Sequence, residues 1–332
     1  MIYRQCARER PDTYSEDLAM GLTNLGSQLR DAGRRDEALA ATAEAVDLYR
    51  ELAQRRPARF QPLLGTALDH LGTRLHELGR TEESLGPSQE AVAIFRELAA
   101  ILPQAFLGDL AMSLDNLGIR LGSAHRSEEA LAAAEESIAI KRRLAQEHPK
   151  EHLRELAAGL GNLVAHLRDA GRGEDGLAAA REAVQVLRGL EAETPGAFLA
   201  LLVTALGNLA IVLNDLGSVE EALAAGQEVV AILRPLAASN PDGFQPRLAV
   251  GLGDLAAPLH ALGRTSEAWD SVAEGIQILA PFFHRHPRAI EARMKILVHN
   301  YRHLAEVSGR IPERELLGPI EEVLGDIQAP EL

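Results

Sequence analysis

Seven prolines, Pro11, Pro57, Pro103, Pro149, Pro195, Pro241 and Pro287, stand 46 residues apart with no slippage. A fixed period in this range confines a chain to a stack of similar units, each burying its apolar face against its neighbours. The 332 residues would otherwise suggest two globular domains. The period places six full units at 12–57, 58–103, 104–149, 150–195, 196–241 and 242–287, then a divergent capping repeat at 288–332. Residues 1–11, MIYRQCARERP, repeat the end of a unit, with Ile2-Tyr3-Arg4 aligned on Leu48-Tyr49-Arg50. They are expected to form the stump of a second helix. That start fits either a gene beginning inside a repeat or, the preferred reading, one piece of a longer protein. An uncovered stump also gives a homodimer a surface through which to form.

Within a unit the spacing predicts two amphipathic helices. Leu18, Leu22, Leu25 and Leu29 follow i, i+4, i+7, i+11, one stripe of a 3.6-residue helix. Small residues recur beside the stripe at Gly26, Gly72, Gly118, Val164, Ala210 and Ala256, which implies a closely approaching neighbour. The turn falls at Gly33, Gly79, Gly171, Gly217, Gly263 and Gly309, with His125 in the equivalent place. The second helix opens with acids such as Asp36-Glu37 and Glu82-Glu83, which complement a helix dipole. Thr81, Ser127 and Thr265 are expected as its N-caps. Kinks or late helix starts are expected at Gly86-Pro87, Pro235, Pro281 and Gly318-Pro319. A shorter last helix is expected near 313–326.

Composition narrows the function. Net charge is −14, which disfavours phosphate backbones and argues against nucleic acid as a partner. One cysteine, Cys6, excludes an intramolecular disulfide framework and suits a reducing cytoplasm. No run of 18 apolar residues exists, so no membrane partner is expected. Lys141, Lys150 and Lys295 are the only lysines beside many arginines, a bias that points to a GC-rich bacterial genome.

The unit resembles the tetratricopeptide repeat (TPR). The matching residues are Asn24-Leu25-Gly26, Leu29, Gly33, Glu37-Ala38-Leu39, Ala45 and Pro57, repeated as Asn116-Leu117-Gly118 with Glu129-Ala130-Leu131 and as Asn208-Leu209 with Glu221-Ala222-Leu223. The usual unit is shorter. The long form is similar to the kinesin-light-chain-like variety and to arrays attached to bacterial signalling proteins. The resemblance implies an all-α, right-handed superhelical α-solenoid of antiparallel helix pairs. It further implies a concave groove, lined by first helices, that holds a protein or peptide.

On that alignment the candidate binding column is Asn24, His70, Asn116, Asn162, Asn208, Asp254 and Asn300. A side-chain amide offers two donors and an acceptor to a bare peptide bond. The same groups would equally tie neighbouring repeats together. Further groove candidates are Thr73, Ile119, Arg168, Ile211 and Asn214. The groove centre, around Gly161, Gly207, Ile119 and Ile211, is small and apolar, which suits a ligand with an apolar middle or simply tight packing. Only Arg30 and Arg168 could serve a carboxylate clamp, so an acidic C-terminus is not the expected ligand.

An arginine column (Arg4, Arg50, Arg96, Arg142, Arg188, Arg234) and a glutamate column (Glu44, Glu90, Glu136, Glu182, Glu228, Glu274) could pair between repeats, but a solvated face worth little is the favoured reading. His299 and His303 share a helix face at i, i+4, a weak metal candidate with no cysteine or flanking carboxylate to complete it. Gly251-x-Gly253-x-x-Ala256 mimics a dinucleotide fingerprint but follows no strand. No catalytic motif and no cofactor is expected. The sequence reads as a cytoplasmic, non-enzymatic scaffold or sensor, one part of a larger signalling protein. The alternatives are a regulatory domain sensing a small signal peptide or metabolite, and a homotypic assembly module.

Overall fold

The computed structural model describes residues 11–328, all of them helix or short connection. The expected stump at 1–11, the homodimer through it, Cys6 and Arg4 fall outside the described residues, apart from Pro11, which opens the first helix. The chain forms two compact units, Met1–Arg172 and Gly173–Leu332.

In the first unit α1 (Pro11–Asp31), α2 (Arg35–Arg55), α3 (Pro57–Glu77), α4 (Thr81–Ile101), α5 (Pro103–Ser123), α6 (Ser127–Glu147) and α7 (Pro149–Asp169) are each 21 residues long. Each packs on the next in chain order. The second unit contains α8 (Gly173–Glu193), α9 (Leu199–Asp215), α10 (Val219–Ser239), α11 (Pro241–Asp254), α12 (Ala256–Ala261), α13 (Thr265–Arg285), α14 (Pro287–Ser308) and α15 (Arg314–Gln328). The architecture is the all-α, helix-pair solenoid of tandem repeats expected from the period.

The periodic prolines both stop and start helices. Pro57, Pro103, Pro149, Pro241 and Pro287 each occupy the first helical turn, where the missing N–H breaks no hydrogen bond. Pro195 keeps the period but not the role. It precedes an irregular stretch with Gly196 at φ +87°, and α9 starts only at Leu199. The Glu191 carboxylate accepts from the backbone N–H of Gly196 and of Phe198, the latter at 2.9 Å, and so supplies the partners that a regular first turn would have.

The turn glycines adopt φ between +67° and +76°, and His125, at +57°, is the one non-glycine with positive φ among the described residues. The small-residue column does mark close approach: a Cβ on Gly26 would stand 2.6 Å from Thr42 Oγ1, and on Gly72 2.5 Å from Ser88 Oγ.

Four expectations are corrected. Thr81, Ser127 and Thr265 are the first residues of their helices, not caps; the cap positions belong to Arg80, Arg126 and Arg264. Each of these arginines forks onto the glutamate three residues on, as in Arg126 to Glu129 at 2.7 and 2.6 Å. Secondly, no helix starts late at Pro87, Pro235, Pro281 or Pro319, which lie inside continuous helices. Buried neighbours such as Leu233 and Ala237, or Leu279 and Phe282, hold the turns on both sides of the proline. Thirdly, Leu25 is 41 % exposed while Leu18, Leu22 and Leu29 are buried. Its equivalent Leu117 shares a core cluster with Leu85 and Val92 of the preceding repeat; among the described residues Leu25 has no such pair against it. Finally, the arginine and glutamate columns do pair: Arg50–Glu90 and Arg96–Glu136 in the first unit, Arg188–Glu228 and Arg234–Glu274 in the second, at 2.6–2.8 Å. All are exposed, so each contributes about 0–1 kcal/mol.

Candidate functional site

In the first unit, several polar side chains of the first helices bond to the neighbouring first helix. Asp69 on α3 is 4 % exposed and accepts from Ser113 Oγ on α5. Arg120, also on α5 and 3 % exposed, donates to the Asp69 carbonyl at 3.3 Å and to Thr73 Oγ1 at 2.7 Å. Burial pushes the Asp69 carboxyl up; Ser113, Arg120 and Asn116 pull it back towards the charged form. Thr73 and Asn116 therefore face the polar groups of an adjacent repeat. A second network joins Asp115 to Lys141 and, at 2.6 Å, to Ser137 on α6. His70 is half-buried, and burial followed by Arg74 and Arg30 holds its imidazole below the ordinary value. Asn24 and Ile119 are exposed, Asn162 is half-buried, and Arg168 is exposed but engaged.

The second unit differs. Ile211 and Asn214 on α9 and Asp254, at the end of α11, line one pocket of about 130 Å³. Ala222, Gly226 and Val229 of α10 form its floor. Ala257 is shared with a second pocket, of about 220 Å³, lined by His260, Asn300 and His303 among others. Asn208 is half-buried and lies outside both linings. His299 and His303 are exposed; the His303 ring packs edge-on against His260, centroids 6.2 Å apart. Among the described residues no group of three or more His, Cys, Asp or Glu could hold a metal ion.

Asp254 lines the first of these pockets and its side chain is exposed, though the helices around it still exclude part of its water. This desolvation pushes its carboxyl up from 3.8 to about 6. No charged or hydrogen-bonding partner meets the carboxyl among the described residues. The helix breaks beside it at Leu255, because Pro258 has no N–H to give the Asp254 carbonyl four residues back. The glycines of the false dinucleotide fingerprint belong to this helix packing: a Cβ on Gly251 would stand 3.2 Å from Val229 Cγ1.

Sequence reasoning missed the column Gln28, Arg74, Arg120, His166, Val212, Pro258, Leu304. Arg74, Arg120 and His166 are buried in the first unit, and the 46-residue alignment alone reveals the column as polar early and apolar late.

The tetratricopeptide repeat family profile matches residues 64–99, 110–150 and 202–234. No curated protein sequence matches the chain. Among solved structures, BtubC (BKLC) from P. vanneervenii is similar at a TM-score of 0.60 and 19% identity, over 75% of this chain and 92% of that one. Aspartyl phosphate phosphatase F from Bacillus subtilis gives 0.56 and 11%, over 92% and 74%. The apo form of RapI gives 0.54 and 13%, over 87% and 96%. At these identities the likeness is one of fold. The chain carries a TPR-like repeat domain. Among the described residues no helix is long and apolar enough to cross a membrane.

Proposed function

We propose that this chain is a peptide- or protein-binding scaffold of the long-repeat, kinesin-light-chain-like variety, part of a signalling protein, and that it holds its ligand on the first-helix face. The observation that carries the reading is the pair of adjoining pockets in the second unit, where Ile211, Asn214, Asp254 and Asn300 present polar and apolar groups over a floor of small residues. Pre-stacked helices lose little ordering entropy on binding, which favours an extended or helical segment laid across them.

Selection of random displayed peptides on the full chain, followed by hydrogen exchange of the complex, tests this. Bound peptide is expected to slow exchange in α9, α11 and α12, and Asn214→Ala with Asn300→Ala to weaken it without loss of helicity. Protection confined to the second helices, or binding unchanged by both substitutions, refutes the first-helix reading.

A further inference from the structure

We infer that the second unit selects a ligand segment with a lysine or arginine beside an aliphatic side chain, the cation on Asp254 and the aliphatic group in the pocket between α9 and α11. This rests on the groove reading above and specifies its chemistry.

Three features of the site converge. The first is the unmatched acid. Every other repeat with a described side chain in this column carries Asn or His, which can sit neutral in a wall; this one carries Asp. Where the first unit buries an acid, it supplies at least part of a partner set: Ser113 on one Asp69 oxygen with the Arg120 charge nearby, Lys141 and Ser137 on Asp115, although the other Asp69 oxygen has no hydrogen-bond partner. The column that provides Arg120 there provides Pro258 and Leu304 here, so the protein offers Asp254 no cation. The Asp254 side chain is exposed at the edge of the pocket with no cation of the chain beside it among the described residues, so its charge is open to a cation on a ligand. The second feature is a backbone carbonyl that lacks its i+4 helical donor. Pro258 strips the Asp254 carbonyl of its helical donor, and Pro258 and Asp254 line the same pocket. A guanidinium or ammonium carries several donors, enough for a carboxylate and a carbonyl together. The third is size and lining. About 130 Å³ is close to the roughly 150 Å³ of an apolar cavity that holds benzene. Such a space takes one Leu-, Ile- or Met-sized side chain. Ala210, Ile211, Gly226 and Val229 give it no polar contact.

The chain's net charge of −14 attracts any basic peptide, so the test must isolate one carboxylate. Random peptides are selected in parallel on the full wild-type chain, Asp254→Asn and Asp254→Glu. Asp254→Asn restores the residue most repeats carry, and circular dichroism checks that it folds. Glu322→Gln, at an exposed acid of α15, controls for bulk charge.

Wild type is expected to enrich Lys or Arg within two positions of an aliphatic residue. The best peptide should lose about tenfold or more in affinity on Asp254→Asn, the loss of a hydrogen bond to a charged group, with Asp254→Glu retaining most of it and Glu322→Gln changing little. Replacing the peptide's basic residue by norleucine should weaken wild type but not Asp254→Asn. Selected peptides with no basic preference, or equal affinity for wild type and Asp254→Asn, overturn the inference while leaving groove binding intact. Basic peptides that protect only second helices from exchange also overturn it. Failure of all variants to select any peptide overturns both.

Discussion

Replacing Lys141 by methionine removes a buried cation from α6 and leaves Asp115 of α5 facing an apolar group. Lys141 and Asp115 are 9 % and 18 % exposed, and Ser137 Oγ also donates to Asp115, at 2.6 Å. At an effective dielectric of about 20 and about 3 Å separation, the pair attracts by about 5 kcal/mol. Desolvating two ions costs several kcal/mol each, so the net contribution of the intact pair is close to zero. Removing one member is another matter, because the survivor keeps its desolvation and loses its partner. Such breaks cost about 3–5 kcal/mol. The residual exposure of Asp115 and its bond to Ser137 place Lys141→Met at the lower end, about 3 kcal/mol. Asp115→Leu should cost about the same by stranding Lys141. The double substitution Lys141→Met with Asp115→Leu should return to within about 1 kcal/mol of wild type, since neither charge is then stranded. Urea midpoints read the size of these effects, and amide exchange in α5 and α6 localises them, which matters in an array whose unfolding need not be all-or-none. A Lys141→Met protein that melts with wild type, or a double variant as weak as the sum of its parents, refutes the reasoning.

His125 holds a left-handed conformation that glycine adopts in the equivalent turns, so His125→Gly should stabilise by about 0.5–1 kcal/mol, seen as a raised thermal midpoint. Arg50→Ala and Arg96→Ala remove exposed inter-repeat pairs; each should cost less than about 1 kcal/mol, a loss that disappears in about 1 M salt. Glu191→Ala unties the backbone N–H groups of Gly196 and Phe198; faster amide exchange is expected there and at the start of α9, with other helices unchanged. For Asp254 the folded carboxyl titrates near 6 against an ordinary 3.8, so the unfolded chain releases this proton first and wild type loses stability as pH rises from about 4 to 6. Asp254→Asn lacks that slope and should gain on wild type across the same window, by about 1 kcal/mol or less once the open rim is allowed for; parallel melts at pH 4 and 7 measure the difference.

The proline period, the leucine stripes and the turn glycines were legible because backbone geometry demands them in every unit. Gly33 and Gly217 occupy one conformation for one reason. What varied between units was harder to read. Pro195 matches its column, yet Gly196 and Glu191 redirect the backbone after it, and only a view of that one connection against its siblings would have raised the question. Thr81 looked like a cap from its chemistry alone, whereas the turn ends one residue earlier, at Arg80. Arg74 and Arg120 went unremarked because amphipathic patterning separates core from solvent but not solvent from a wall covered by the next repeat. Of the candidate site, Ile211, Asn214, Asp254 and Asn300 line pockets, while Thr73 bonds to a neighbouring side chain. All of them stand in repeating columns of the first helices; the difference lies in what the following repeat places opposite.

That difference also separates the chemistry of the two units. In the first, acids on the first helices meet Arg120, Lys141, Ser113 and Ser137, so much of their hydrogen-bonding capacity goes into joining helices, although one Asp69 oxygen and two Arg120 nitrogens have no partner. A ligand competing for those groups would have to replace bonds already made, and its gain would be small. In the second, the same columns turn apolar at Val212, Pro258 and Leu304, the packing is carried by Leu206, Leu233, Leu252 and Ile276, and Asp254 keeps its capacity unspent. A ligand that meets the exposed Asp254 gains a charge-assisted bond without displacing one already made. Recognition by this chain is therefore expected to concentrate in the second unit, with the polar columns of the first acting as mortar.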